Sequence, residues 1–128
     1  MKVDKFNVQK ACNVPKKLSL VDPFSGETII DDEGNTLDLF IYGIKSSIAR
    51  NAVKERDRKY GNIKKMTPEQ QSKSGAEFLS ALTQGFTENI ENEDGPYKSA
   101  VDMYIEQDWI AEQVQDFAMK LDNFDPNA

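Results

Sequence analysis

Few residues in this chain have the types and spacing that chemistry needs. Two carboxylate clusters, Asp31-Asp32-Glu33 and Glu91-Asn92-Glu93-Asp94, offer the oxygen ligands that a hard cation takes. A calcium loop requires those ligands at set spacings around a central glycine. Centring it on Gly95 puts Ile90 first and Val101 last, and centring it on Gly34 puts Ile29 first, so both frames fail and the clusters read as solvated turns. There is no histidine and one cysteine, Cys12, which excludes a Cys/His zinc site, a Ser-His-Asp or Cys-His arrangement and an internal disulfide. Cys12 reads as a small structural residue, with Lys10 the nearest charge that would lower its pKa. Ser46 and Ser47 open a helical pattern with no base to activate them, so they read as helix caps. No glycine-rich phosphate loop occurs. The residues therefore point to no enzyme, no metal and no cofactor.

The charges are more informative. The 128 residues carry 22 acidic and 16 basic groups, a net charge of −6, which argues against a general nucleic-acid binder. Their distribution is uneven: residues 1–65 hold 13 basic and 9 acidic groups, and residues 66–128 hold 3 and 13. Arg50, Lys54 and Arg58 recur at i, i+4, i+8, a basic stripe along one side of a helix. The stripe reads either as a solvated face or as one half of a head-to-tail contact with the acidic C-terminal part of another copy. No apolar run approaches the ~20 residues that cross a bilayer, and MKVDKFNVQK lacks the apolar core of a signal peptide, so a cytoplasmic protein without membrane contact is expected.

The elements that must position these groups follow from pattern and caps. The length fits a single domain over 1–128, with residues 1–16 as a mobile N-terminal segment and 122–128 as a C-terminal tail. Residues 17–43 alternate polar and apolar between the turns Asp22-Pro23-Phe24-Ser25-Gly26-Glu27 and Asp32-Glu33-Gly34-Asn35, which predicts a small antiparallel β region. Residues 46–121 take a helical period. Ile48, Ala49, Ala52, Val53, Tyr60 and Ile63 share one arc of a helix stopped near Gly61. Thr67-Pro68-Glu69-Gln70 starts another that carries Phe78, Leu79, Leu82, Phe86 and Ile90 on one face and runs to 86 or 90. The expected class is α+β, mainly α-helical, with three or four amphipathic helices after the β region.

The last helical region, opened by Ser99, has two apolar stripes: Val101, Ile105 and Trp109 on one side, and Met103, Ile110, Val114, Phe117 and Leu121 nearly opposite. Either one helix is buried on two sides, or the segment breaks near Gln107-Asp108 and restarts with Asp108 as N-cap. We favour the break, because it lets both stripes face one core. Apolar residues make up only 38% of the chain, and even with the glycines added they fall below the usual ~45–50%. A core that lean is expected to leave part of the second stripe for a partner.

Taken in order, these motifs resemble the tail assembly chaperones of long-tailed bacteriophages. The succession runs from the Asp22–Glu27 turn through the strand ending Tyr42-Gly43, the basic helix, the Thr-Pro-Glu helix and the Asp94-Gly95 loop, to Trp109-Ile110 with Gln113-Val114, then Asn123-Phe124. It covers roughly residues 17 to 124. Asp108 stands where family members often carry a proline, and Gly85-Phe86 where many have a tryptophan. The resemblance implies a non-enzymatic protein of the host cytoplasm, absent from the mature virion. Such a protein binds the tape-measure protein, keeps it soluble and promotes polymerisation of the tail-tube protein around it. Members are typically made in a short and a frameshifted longer form.

On this reading the surface for a client or for a sister copy comprises Met103, Trp109, Ile110, Val114, Phe117, Leu121 and Phe124. Arg50, Lys54 and Arg58 serve electrostatic association in a homo-oligomer. A different class of function, an acidic inhibitor that imitates nucleic acid and occupies a DNA-binding protein, fits the acidic second half but leaves the basic helix without a purpose.

Overall fold

Leu39 and Ile41 have no exposed surface, and they sit where the alternation of residues 37–42 places its apolar side. The computed structural model describes residues 1–61 and 63–127. In chain order, α1 (Val8–Cys12) leads to β1 (Lys16–Ser19) and β2 (Asp38–Ile41), followed by α2 (Ser47–Tyr60), α3 (Pro68–Ala81) and β3 (Thr83–Phe86). A two-stranded hairpin, β4 (Glu91–Asn92) and β5 (Gly95–Pro96), precedes α4 (Ala100–Glu106) and α5 (Asp108–Met119). A 3-10 turn at Leu121–Phe124 ends the ordered elements. The chain is about 50% helical with 16% strand, which makes it α+β.

Strand β2 is central, with β1 antiparallel on one side (Leu18 opposite Leu39) and β3 antiparallel on the other (Leu39 opposite Phe86). The β region is thus not confined to 17–43. The third helix stops at Ala81, not at 86 or 90, with Leu82 as its C-cap, and Thr83–Phe86 leave it to become an edge strand. Thr83 is β-branched, and its hydroxyl donates to the Leu79 carbonyl at 2.7 Å. The strand pairing then takes the backbone groups that a longer helix would have used.

The local signals at the helix starts match their capping chemistry. Ser46 caps α2 by accepting from the Ala49 N–H, whereas Ser47, expected as a cap as well, is the first helical residue and instead donates to Asn13 Oδ1 at 3.1 Å. Thr67 and Gln70 form the reciprocal box. Ser99 accepts from Asp102 N–H. Helix α2 buries Ala49, half-buries Ile48, Ala52 and Tyr60, and leaves Val53 exposed; the side chain of Ile63, placed on the same arc, lies outside the described residues. Between β1 and β2 the chain makes two tight turns at Gly26 and Gly34, both with positive φ, each tied by an aspartate: Asp22 to the N–H groups of Phe24 and Ser25, Asp31 to those of Glu33 and Asn35.

The C-terminal region breaks at Gln107, but the capping residue is not Asp108. Gln107 itself is the N-cap, with a non-helical backbone (φ −120°, ψ 76°) and no side-chain cap bond, and Asp108 is the first helical residue. Residues 1–16 and 122–128 are also more than loose ends. Cys12 is buried, its carbonyl accepts from Gly43 N–H at 3.0 Å, and α1 packs on the Leu121–Phe124 turn, where Phe124 is 1% exposed.

Candidate interaction surface

The break at Gln107 decides where the apolar stripes go. It turns α5 relative to α4, so Met103 and Tyr104 from one helix and Ile110, Val114 and Ala118 from the other enter the same core. Met103 (0% exposed), Ile110 (2%), Val114 (0%) and Phe124 (1%), expected at the client or self-association surface, are therefore interior residues. Of the second stripe, Met103, Ile110 and Val114 are covered by the core and Phe117 is half-buried, so what the lean core leaves uncovered is Leu121 at the end of the stripe. Leu20, Leu39, Ile41 and Leu82 complete the core from sequence-distant segments.

Trp109 and Phe117 are half-buried against that core. The Trp109 indole N–H donates to Gln107 Oε1 at 3.0 Å, while the Gln107 amide donates to the Tyr97 hydroxyl at 3.2 Å. The break is thereby stitched to the loop before α4. Phe117 meets Phe124 edge to face, with ring centroids 5.6 Å apart, and Asn123 donates to the Phe117 carbonyl at 2.9 Å. Of the seven apolar residues assigned to the surface, only Leu121 is exposed, at 45%.

Leu121 belongs to a cleft built by the two chain ends. Phe6, Val8 and Ala11 form one wall and Leu121 and Pro126 the other, over a floor of Cys12 and Phe124, enclosing about 350 Å3. Phe6 and Val8 are exposed, and Val3 and Val14 add further exposed apolar surface in the same segment. The charged groups beside this cleft are Lys5, Asp122 and Asp125. The cleft gathers exposed apolar residues from both ends of the chain, and a surface of this kind is characteristic of protein–protein contact. The sequence reading missed it, because the N-terminal apolar residues carry no period and their nearness to Leu121 is purely tertiary.

A second, larger groove of about 690 Å3 lies between α2 and α3, lined by Ile48, Ala52, Phe78 and Ala81. Its rim is braced from both helices. Lys59 reaches Glu77 at 2.9 Å, Tyr60 donates to Glu77 at 2.8 Å, and the Arg56 guanidinium lies 5.3 Å from the centre of the Phe78 ring. Burial pushes the Glu77 carboxyl up, but the hydrogen bonds from Lys59 and Tyr60 together outweigh it and hold the group below its ordinary range.

The three basic stripe residues do stand together on the exposed side of α2. Arg58 is drawn back onto Glu55 at 2.7 Å, whereas Arg50 and Lys54 form no ion pair among the described residues. Also missed in sequence was Gln113, which clamps the β1–β2 connection to α5 by accepting from Val21 N–H at 3.0 Å and donating to Val21 O at 2.8 Å. Chemically these surfaces offer apolar burial and exposed charge. Among the described residues, no group of three or more acidic or cysteine side chains is placed to hold a metal ion, and no helix is long and apolar enough to cross a membrane. Comparison with known proteins finds no matching family model, no matching curated protein and no matching solved structure.

Proposed function

We propose that this chain is a non-enzymatic tail assembly chaperone of a long-tailed phage, acting in the host cytoplasm on the tape-measure protein during tail-tube assembly. The observation that carries the reading is the ordered succession Trp109-Ile110, Gln113-Val114 and Asn123-Phe124 at the end of a capped helical series. The geometry supports it in one respect. The last residue of that motif, Phe124, lies in the floor of the cleft between the chain ends, where Phe6, Val8 and Leu121 present apolar surface to solvent. A tape-measure segment offering an amphipathic helix would gain about 25 cal/mol for each Å2 of apolar surface covered there.

The test is co-expression with tape-measure segments followed by size-exclusion chromatography. A soluble complex is expected with the wild-type chain, together with loss of the complex but not of the fold for the Phe6→Ser, Leu121→Ser double variant. Failure to solubilise any tape-measure segment, or a salt-sensitive complex formed only with DNA-processing proteins, would overturn the proposal; the latter result favours the nucleic-acid mimic.

A further inference from the structure

Two helices of this fold carry exposed charge stripes of opposite sign and equal spacing. On α2, Arg50, Lys54 and Arg58 are all exposed at i, i+4, i+8. On α5, Asp108, Glu112 and Asp116 are all exposed at the same intervals. Four residues rise about 6 Å along a helix, so both rows have the same pitch and a length of about 12 Å. The totals match as well. Helix α2 holds five basic residues against Glu55 and Asp57, leaving +3, and α5 holds three acidic residues and no basic one, leaving −3.

The stripes do not neutralise each other within one molecule. Helix α3 packs against both α2 and α5, and neither Arg50, Lys54, Asp108, Glu112 nor Asp116 forms an ion pair among the described residues. Each row also has an exposed apolar neighbour. At 100° per residue Met119, 58% exposed, falls on the arc of Glu112 and Asp116, and Val53 lies beside Arg50.

We infer that the α2 stripe of one copy docks on the α5 stripe of a second copy of this chain, with Lys54 facing Glu112. That central pair is the same whether the helices run parallel or antiparallel, since it is the middle member of both rows. Exposed ion pairs are individually weak, so the contact depends on the array and is sensitive to salt. Arg58 contributes least, because Glu55 already holds it. The inference does not rest on the client reading, and its test contains no client.

The experiment is sedimentation of the purified chain at about 0.01 M and about 0.15 M salt, where the Debye length falls from roughly 30 to 8 Å. The wild-type chain is expected above its monomer mass at low salt, with association weakened at least tenfold at the higher salt. Two charge-reversed chains, Arg50→Glu/Lys54→Glu/Arg58→Glu and Asp108→Lys/Glu112→Lys/Asp116→Lys, are each expected to be monomeric with unchanged helical circular dichroism. Mixing them restores association, because each then offers the row the other lacks. Should either triple variant fail to fold, the single reversals Lys54→Glu and Glu112→Lys are compared alone and mixed in the same way. A monomeric wild-type chain at low salt, reversed chains that associate as before, or folded reversed chains that stay monomeric on mixing would each overturn the inference.

Discussion

Gly43 and Cys12 show how one atom sets the position of an element. A Cβ at residue 43 would stand 2.7 Å from Cys12 Cβ and 3.3 Å from its Cα, closer than packed carbons approach. The glycine is required for α1 to lie on the β2–α2 connection, although its backbone needs no positive φ. Burial pushes the Cys12 thiol up; the Lys45 backbone N–H and the Lys45 charge only partly offset this. The cation that matters is therefore Lys45, brought in by the fold, and not Lys10, which is near only in sequence. Gly43→Ala is expected to cost roughly 1–3 kcal/mol by forcing α1 away. The same change should expose the thiol, so alkylation of Cys12 is slow in the wild-type chain and accelerates in the variant. Equal alkylation rates and equal melting temperatures would refute the close-approach argument.

At the scale of elements, signals confined to a few neighbouring residues were legible, and those that depend on distant partners were not. The caps at Ser46, Thr67 and Ser99 and the turns at Gly26 and Gly34 could be read because both donor and acceptor lie within a few positions of each other. Strand β3 could not. Phe86 continues the helical period of Phe78 and Leu82, and only pairing with Leu39, distant in sequence, makes the segment extended. The ion pair that joins α2 to α3 belongs to the same long-range class. The Glu77 carboxyl is held below its ordinary value of 4.5, so its contribution is present above that pH and is lost as pH falls through the lowered value. Lys59 is raised above 10.5 by its hydrogen bond to Glu77, so its contribution is present below that pH and is lost on the alkaline side. The pair is at full strength between these limits. Glu77→Gln should lower stability modestly in the neutral region and converge with wild type at low pH, which flattens the acid limb of a stability–pH curve, as followed by urea unfolding at a series of pH values. An unaltered acid limb would mean that solvent screens the pair completely.

For the whole molecule, the consequence of the fold is that its two ends meet. The sequence suggested loose termini because residues 1–16 and 122–128 carry no amphipathic period, yet a single buried aromatic is enough to secure the second of them. Phe124 is closed over by α1 and meets Phe117, while Leu121, three residues earlier in the same 3-10 turn, points to solvent. Leu121 is placed on the interaction surface as the end of an apolar stripe and Phe124 through the family motif, whereas the burial of Phe124 against α1 and Phe117 is a tertiary contact that no local spacing signals. The two positions should therefore respond in opposite ways. Phe124→Ala creates a cavity beneath α1 and is expected to cost roughly 3–5 kcal/mol, a large share of the about 5–15 kcal/mol that holds a domain folded. Leu121→Ser, at an exposed position, is expected within about 0.5 kcal/mol of wild type. Thermal melts followed by circular dichroism measure both, and comparable losses in the two variants would show that the cleft between the termini is closed in solution and that Leu121 belongs to the core.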